Sequence, residues 1–265
     1  MRDLSVVIPA YNEAARIGET LESIAAFLDE RDRDDEVIVV DDGSKDDTVV
    51  TIEYYRNLFR RLRVVQSWRN HGKGHAVRQG MLTATGALRL FVDADNSTDI
   101  REFNKLMAAA NAEPVTPAVI IGSVAVSGAD VTTKQPGMRA SLGRLGNQFI
   151  QRAVLPGIED TQRGFKVFTA EATEAIFSRC TSDGWVFDVE ALALARALGY
   201  PILEVPITWE HREDSRVRAS AYASSLVDVL KIKRRVEREA AAQVVTPLPS
   251  KDAGSSPLAS EDAAA

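Results

Sequence analysis

The chain has 265 residues, which suits one large domain or two small ones; 45% hydrophobic and 26% charged residues are the balance of a globular protein with a real core. A formal net charge of −6 argues against a nucleic-acid partner held on a basic surface, and one cysteine with three histidines excludes an intramolecular disulfide and disfavours a zinc site. No run of about 18 apolar residues occurs, and the opening "MRDLSVVIPAYNE" lacks the marks of a signal peptide, so a cytoplasmic chain that spans no membrane is expected.

In chain order, the runs "LSVVIP", "DEVIVVD", "LRVVQS", "ALRLFVD" and "AVIIGS" are continuous in Val, Ile and Leu, the pattern of strands buried on both faces. Between them the spacing predicts helices over 13–28 (apolar at Ile17, Leu21, Ile24 and Leu28), 46–60, 74–84 and 99–111. Such alternation gives an α/β fold, a doubly wound and mostly parallel sheet with right-handed crossovers. Beyond it lie a predicted helix over 137–155, a strand "FKVF" at 165–168, helices over 170–179 and 187–198, a strand "PILEVPI" and a last helix over about 219–240. The Pro/Ser/Ala-rich stretch 241–265 is expected to be a disordered tail after one domain, 1–240.

Ligands of such sheets bind beyond the carboxyl ends of the strands. Here the first four strands are followed by "PAYNE", "DDGSKDD", "SWRNHGKG" and "DADNSTD", while the opposite ends carry little of note. Four polar strand ends on one rim favour a single site. Neither GxxxxGK[ST] nor a GxGxxG after the first strand is present, so the glycine-rich phosphate cradles are out. What remains is a nucleotide site with acidic groups for base and ribose and a metal for the phosphates. If the chain stays extended, Asp93 and Asp95 share one face about 7 Å apart, and two such like charges invite a cation. They are the candidate ligands of Mg²⁺ or Mn²⁺, bridging the phosphates of a nucleotide-diphosphate sugar donor and stabilising the departing diphosphate. Lys73 and Arg69 are candidates to add positive charge there, and Asp99 reads as a helix cap. An isolated Asp-x-Asp is more often a solvated turn or helix cap than a metal site; its company on the rim carries the metal reading.

"VVIPAYNEAARI", "VIVVDDGSKDDT", "NHGKGHAVRQG" and "FVDADNSTD" resemble the successive motifs of family 2 glycosyltransferases with the GT-A fold. "EDTQRGFKVFTAEA", "GWVFDVEAL" and "ITWEHREDSRVR" resemble the dolichyl-phosphate β-glucosyltransferase branch, close to the dolichyl-phosphate mannose synthases, and the similarity runs from residue 4 to about 235. The resemblance implies inverting transfer of glucose from UDP-glucose to a polyprenyl phosphate with Mg²⁺ or Mn²⁺. It implies that Pro9, Tyr11 and Glu13 frame the nucleotide, with Asp41 or Asp42 on the uracil or ribose. Asp93 and Asp95 hold the metal, with Ala94 between them at the donor, and Ser215 and Arg216 stand where the family has Ser-Lys in a loop closing over the phosphates. Asn96 departs from the expected small residue and Ser97 is a candidate replacement for a neighbouring ligand, which leaves a third protein ligand open. The eukaryotic members' amino-terminal membrane helix has no counterpart in this sequence, so peripheral attachment to a membrane surface is expected from elsewhere. The alternatives are a mannose synthase using GDP-mannose, a family 2 transferase with another lipid or glycan acceptor, and a non-catalytic nucleotide-sugar binder.

A phosphate acceptor is mostly a dianion at neutral pH and needs cations more than a base. The candidates are Arg139, Ser141 and Arg144, with Arg152 further along. Leu142, Leu145, Phe149 and Ala153 beside them suit an amphipathic helix at a bilayer surface. The last helix sets Leu226, Val229, Leu230 and Val236 against Lys231, Lys233, Arg234, Arg235 and Arg238, which fits anionic lipid or packing on its own domain. Asp160, with Gln162, is expected to orient the sugar or acceptor loop, and to act as a base only for a hydroxyl acceptor. Trp185 and Asp188 either face the sugar or belong to the core, Asp188 being favoured for the sugar, and Glu190 reads as an ordinary helix residue. His71, His75 and His211 lack the spacing of a metal set.

Overall fold

The computed structural model describes residues 2–131, 146–210, 212 and 219–244. The strands are β1 (Arg2–Ala10), β2 (Glu36–Asp41), β3 (Leu62–Gln66), β4 (Gly86–Val92), β5 (Val119–Ser123), β6 (Asp130–Val131), β7 (Phe165–Thr169), β8 (Ile202–Pro206) and β9 (Thr208–Trp209). The helices are α1 (Ile17–Arg31), α2 (Thr48–Tyr54), α3 (Lys73–Thr83), α4 (Glu102–Ala112), α5 (146–153), α6 (Ala170–Phe177), α7 (Phe187–Ala197) and α8 (Ala219–Val244).

Seven strands make one sheet in the order β3–β2–β1–β4–β7–β5–β8, parallel except for β7, which runs antiparallel between β4 and β5. The continuous apolar runs are explained by cover on both faces. Val7, Ile38, Val40 and Phe91 pack under α3, α6, α7 and α8, while Val6, Ile8, Val37, Val39 and Leu90 pack under α1 and α4. β6 and β9 pair in parallel apart from the main sheet; at two residues each they are too short for a period to show.

Two helices depart from their predicted spans. Glu13 to Arg16 form a turn, with the Arg16 and Ile17 N–H groups both donating to the Glu13 carbonyl at 2.9 Å, so α1 starts at Ile17. The second predicted helix is cut to α2 followed by a short 3₁₀ turn, Arg56–Leu58. Of the helix expected over 137–155 the described part is α5, where Ile150 is buried and Phe149 packs beside it. Arg139, Ser141, Arg144, His211, Ser215 and Arg216 lie outside the described residues, as does the predicted tail from 245 onward; α8 itself continues to Val244. Val229, Ile232 and Val236 of α8 are buried on the α7 side of the core, so that face packs on its own domain.

The rim away from the nucleotide motifs is not bare, contrary to expectation. Asp35 accepts the Leu4 N–H at 3.0 Å, and Glu36 accepts from the Ser5 hydroxyl at 2.7 Å and the Thr85 N–H at 2.8 Å. These buried carboxylates are engaged by neighbouring strand starts, which a burial-blind reading of the sequence misses. Among the described residues no helix is long and apolar enough to cross a membrane.

Candidate active site

The first two strand ends interlock. Asn12 takes the left-handed conformation (φ 54°), tolerable for Asn, and turns the chain after β1. Its N–H donates to the Ser44 hydroxyl at 2.8 Å, its side-chain oxygen accepts the Lys45 N–H at 2.7 Å, and the Glu13 N–H donates to the Thr48 hydroxyl at 2.7 Å. Pro9 is buried within β1, and Tyr11 and Glu13 are partly exposed beyond it, Glu13 paired with Arg16.

Asp41 and Asp42 are both buried. Asp41 accepts the Ser44 N–H at 3.2 Å, while Asp42 accepts the His71 N–H at 3.0 Å and the Gly72 N–H at 2.7 Å. Asp42 thus ties the end of β2 to the loop before α3. Gly43 between them has φ 75°, and a Cβ there would press on the Arg69 backbone, so only glycine lets the loops meet.

β4 ends at Val92, and Asp93, Ala94 and Asp95 form a turn. The strict alternation expected for an extended chain therefore does not apply to this pair. The turn is held from four sides. The Thr20 hydroxyl donates to the Ala94 carbonyl at 2.8 Å; the Ser97 N–H donates to Asp95 Oδ1 at 3.0 Å; the Asp93 N–H donates to the Gly164 carbonyl at 3.2 Å; and Asn96, again left-handed at φ 53°, donates its amide to Glu19 at 3.2 Å. Gly164 lies so near that a Cβ would overlap the Asp93 carboxylate. Asp99 accepts the Arg101 N–H at 2.8 Å in the turn before α4, but the cap position itself is Arg101, which makes no side-chain cap bond, so Asp99 is not the helix cap expected.

Lys73, at the start of α3, sets its Nζ 2.5 Å from Asp93 Oδ1, with the Phe91 and Trp185 rings at 5.4 and 5.5 Å. Beneath it Asp188 accepts from Lys166 at 2.7 Å, both side chains almost wholly buried. Burial acts to lower the Lys73 pKa, but Asp93 and Asp188, with Asp95 behind them, outweigh it and hold the ammonium above its ordinary value. Burial likewise pushes the Asp188 carboxyl up, with Lys166 and Lys73 pulling it back. Formally three carboxylates share two ammonium groups, and the excess is negative. Arg69 is exposed and stacks on Trp68, 4.4 Å from the ring centre, instead of reaching Asp93.

Asp160 is buried beyond the β5 end, where it accepts the Val124 N–H at 3.1 Å and the Arg163 guanidinium at 3.3 Å. Gln162 is exposed beside it. Arg212 binds Glu19 through two nitrogens, at 2.9 and 2.6 Å, and these bonds with that from Asn96 lower the Glu19 pKa. The Glu210 N–H donates to the Ser97 carbonyl at 2.9 Å, which sets Glu210 just past the Asp93–Asp95 turn.

The residue that sequence reading passes over is Glu190. It is fully buried and accepts from the Thr181 N–H at 3.0 Å, the Thr181 hydroxyl at 2.9 Å, the Ser182 N–H at 2.7 Å and the Arg235 guanidinium of α8. The loop so fixed takes the His75 N–H on the Asp183 carbonyl at 3.2 Å and packs against Gly72 and Gly74, where side chains would clash. An acidic residue inside "FDVEALALA", a run otherwise apolar after Asp188, is the signal that could have revealed it.

Hard oxygen ligands suit Mg²⁺ or Mn²⁺, and among the described residues no group of three His, Cys, Asp or Glu is placed to hold a metal. Asp93 and Asp95 are carboxylates of the kind that would supply two of those ligands, phosphate oxygens and water supplying the rest. The family model for glycosyl transferase family 2 matches residues 5–177. The chain belongs to that family. The transferase is 36% identical over 238 residues to a dolichyl-phosphate beta-glucosyltransferase of Trichomonas vaginalis, covering 85% of this chain and 69% of that one. It is 34% identical over 244 residues to that of Dictyostelium discoideum, with 88% and 74% covered, and 35% identical over 226 residues to that of Mus musculus, with 82% and 70% covered. The expected branch is thus found. In fold the transferase resembles glucosyl-3-phosphoglycerate synthase from Mycobacterium tuberculosis, solved with Mn²⁺, uridine diphosphate and glucosyl-3-phosphoglycerate, at TM-score 0.65 and 21% identity over 86% of this chain and 78% of that one. This likeness agrees with the predicted GT-A architecture.

Proposed function

We propose that the transferase moves glucose from UDP-glucose to a polyprenyl or dolichyl phosphate, with inversion and with Mg²⁺ or Mn²⁺ held by Asp93 and Asp95. The observation that carries this reading is the Asp93–Asp95 turn with Lys73 on it, at the carboxyl rim of a nucleotide-type sheet. Such a set is completed by a diphosphate. The names of the relatives support glucose and a dolichyl-phosphate acceptor, and the fold neighbour's manganese and uridine diphosphate support the donor and the metal.

The bound cation would supply Lewis acidity to the departing diphosphate. The chain's own residues do the rest. Asp41, Asp42 and the Asn12–Glu13 turn shape the nucleotide pocket, with Pro9 and Tyr11 along its wall. Lys73, kept charged between Asp93 and Asp188, is placed to meet phosphate charge developing at the rim. Asp188 is buried against Lys166, which supports a role in holding Lys73 over direct contact with the sugar. The acceptor phosphate oxygen bonds to the anomeric carbon as the bond to the diphosphate oxygen breaks, so no hydroxyl proton has to be removed. Asp160 already accepts from Val124 and Arg163, which supports its role in positioning over a role as base. Arg139, Ser141 and Arg144 for the acceptor phosphate, and Ser215 and Arg216 for closure over the donor, complete the proposal.

Purified protein with Mn²⁺ and a short polyprenyl phosphate, offered labelled UDP-glucose and GDP-mannose in parallel, tests it. The expected product is a glucolipid labile to mild acid and stable to mild base; no lipid product from either donor overturns the reading. Asp160→Asn should slow transfer and not abolish it.

A further inference from the structure

Helix α8 turns a second face outward, and it differs in kind from the one it buries. At about 100° per residue, Val227, Leu230, Lys231, Arg234 and Arg238 fall within one arc of about 100° opposite the Val229–Ile232–Val236 stripe. All five are exposed, Val227 by 54% and Leu230 by 45%. Among the described side chains of α8 no carboxylate lies in that arc. Asp228 and Glu237 flank it, Asp228 meeting Lys231 at 2.9 Å and Glu237 meeting Lys233 at 3.9 Å. In a chain of net charge −6, a strip of three cations with two bare aliphatic side chains is a local inversion. Arg235 ties the helix from the flank to Glu190 and the Arg179 carbonyl.

We infer that this outer face of α8 docks the enzyme on an anionic lipid bilayer. Lysine and arginine stems lie along the headgroup layer with their charges among the phosphates, while Val227 and Leu230 enter the acyl boundary. The other occupants, a second copy or an acidic protein, match the charge but give less reason for exposed aliphatics beside it. The inference rests on the proposed lipid-phosphate acceptor, and the structure links the face to the donor site. On its Lys231 edge the strip borders a cleft of about 400 Å³ whose far wall is the 181–186 loop. Trp185 of that loop stands 5.5 Å from the Lys73 ammonium. A bilayer against α8 therefore brings lipid headgroups towards Trp185 and the rim where the sugar is transferred.

Sedimentation of the full-length protein with phosphatidylcholine vesicles, with and without phosphatidylserine, tests the inference. Wild type should bind the anionic vesicles and leave the neutral ones largely free. Each neutralised charge should weaken binding about fivefold, so Lys231→Gln/Arg234→Gln/Arg238→Gln together should weaken it by about two orders of magnitude. Leu230→Ser should weaken it further without changing the salt dependence. Helical circular dichroism and transfer to a short, water-soluble polyprenyl phosphate should be unchanged in all variants, which separates docking from catalysis. Wild type that ignores anionic vesicles, a triple variant that binds them equally, or self-association through this face in their place overturns the inference. Failure of transfer with vesicle binding intact overturns the proposed reaction and leaves the surface standing.

Discussion

Gly164 and Asp93 show how much of this site is set by single atoms. The Gly164 carbonyl takes the Asp93 N–H, and its missing side chain is the space the Asp93 carboxylate occupies. Gly164→Ala should displace that carboxylate and lower kcat on the order of 100-fold, with the circular dichroism spectrum retained; an unchanged kcat would show that Asp93 has room to move. Cys180 makes the opposite kind of prediction, about the fold alone. Burial, with Glu190 nearby, pushes its thiol well above the ordinary value, so the native protein keeps it protonated. The unfolded chain ionises first as pH rises, so this contribution to stability is whole below about pH 9 and falls by about 1.4 kcal/mol per further pH unit. Denaturant titrations of wild type and Cys180→Ala at increasing alkaline pH should converge by that slope, and iodoacetamide should label Cys180 only on unfolding. Asp93 and Asp95 stand out in the sequence because they end an apolar run beside three other polar strand ends on the same rim. Lys166 does not, because a buried charge looks like a surface one until its partner is known, and Glu190 is marked only by its apolar neighbours.

Among the elements, α3, α7 and α8 form one mechanical unit around the 181–184 loop. Glu190 of α7 gathers that loop and Arg235 of α8, and the loop in turn seats Gly72 and Gly74 at the start of the helix that carries Lys73. Glu190→Gln removes one of two carboxylate partners from the partly exposed Arg235, which keeps Glu239 and the Arg179 carbonyl, and weakens the buried acceptor of the Thr181 and Ser182 donors; it should cost about 1–3 kcal/mol. Urea unfolding reads the stability, and the KM for the sugar donor should rise with it as Lys73 loses its seat. A stability loss within 0.5 kcal/mol would show that Arg235 is satisfied elsewhere. The strands are readable from their apolar runs because both faces of the sheet are covered. The antiparallel run of β7 is not, since nothing local in "FKVF" records which way its neighbours point. The shortened start of α1 is a matter of competition. Four residues that suit a helix are drawn into a turn by the hydrogen bonds that Asn12, Glu13 and Ala14 make with the loop after β2.

Over the whole molecule, polarity is sorted by the direction of the strands. The amino-terminal rim spends its buried carboxylates, Asp35 and Glu36, on backbone and hydroxyl donors. The carboxyl rim keeps Asp93, Asp95 and Lys73 in a charge cluster that is left net negative. A divalent cation bound there would turn that negative excess positive and so favour a nucleotide diphosphate beside it, which makes the account a claim about metal binding before it is one about sugars. Electron paramagnetic resonance titration of Mn²⁺ into wild type, Asp93→Ala and Asp95→Ala, each with uridine diphosphate, measures this directly. Wild type should take up one manganese, and each variant should bind it at least about 100-fold more weakly and lose transfer in proportion. Manganese held equally well by all three proteins would contradict the account.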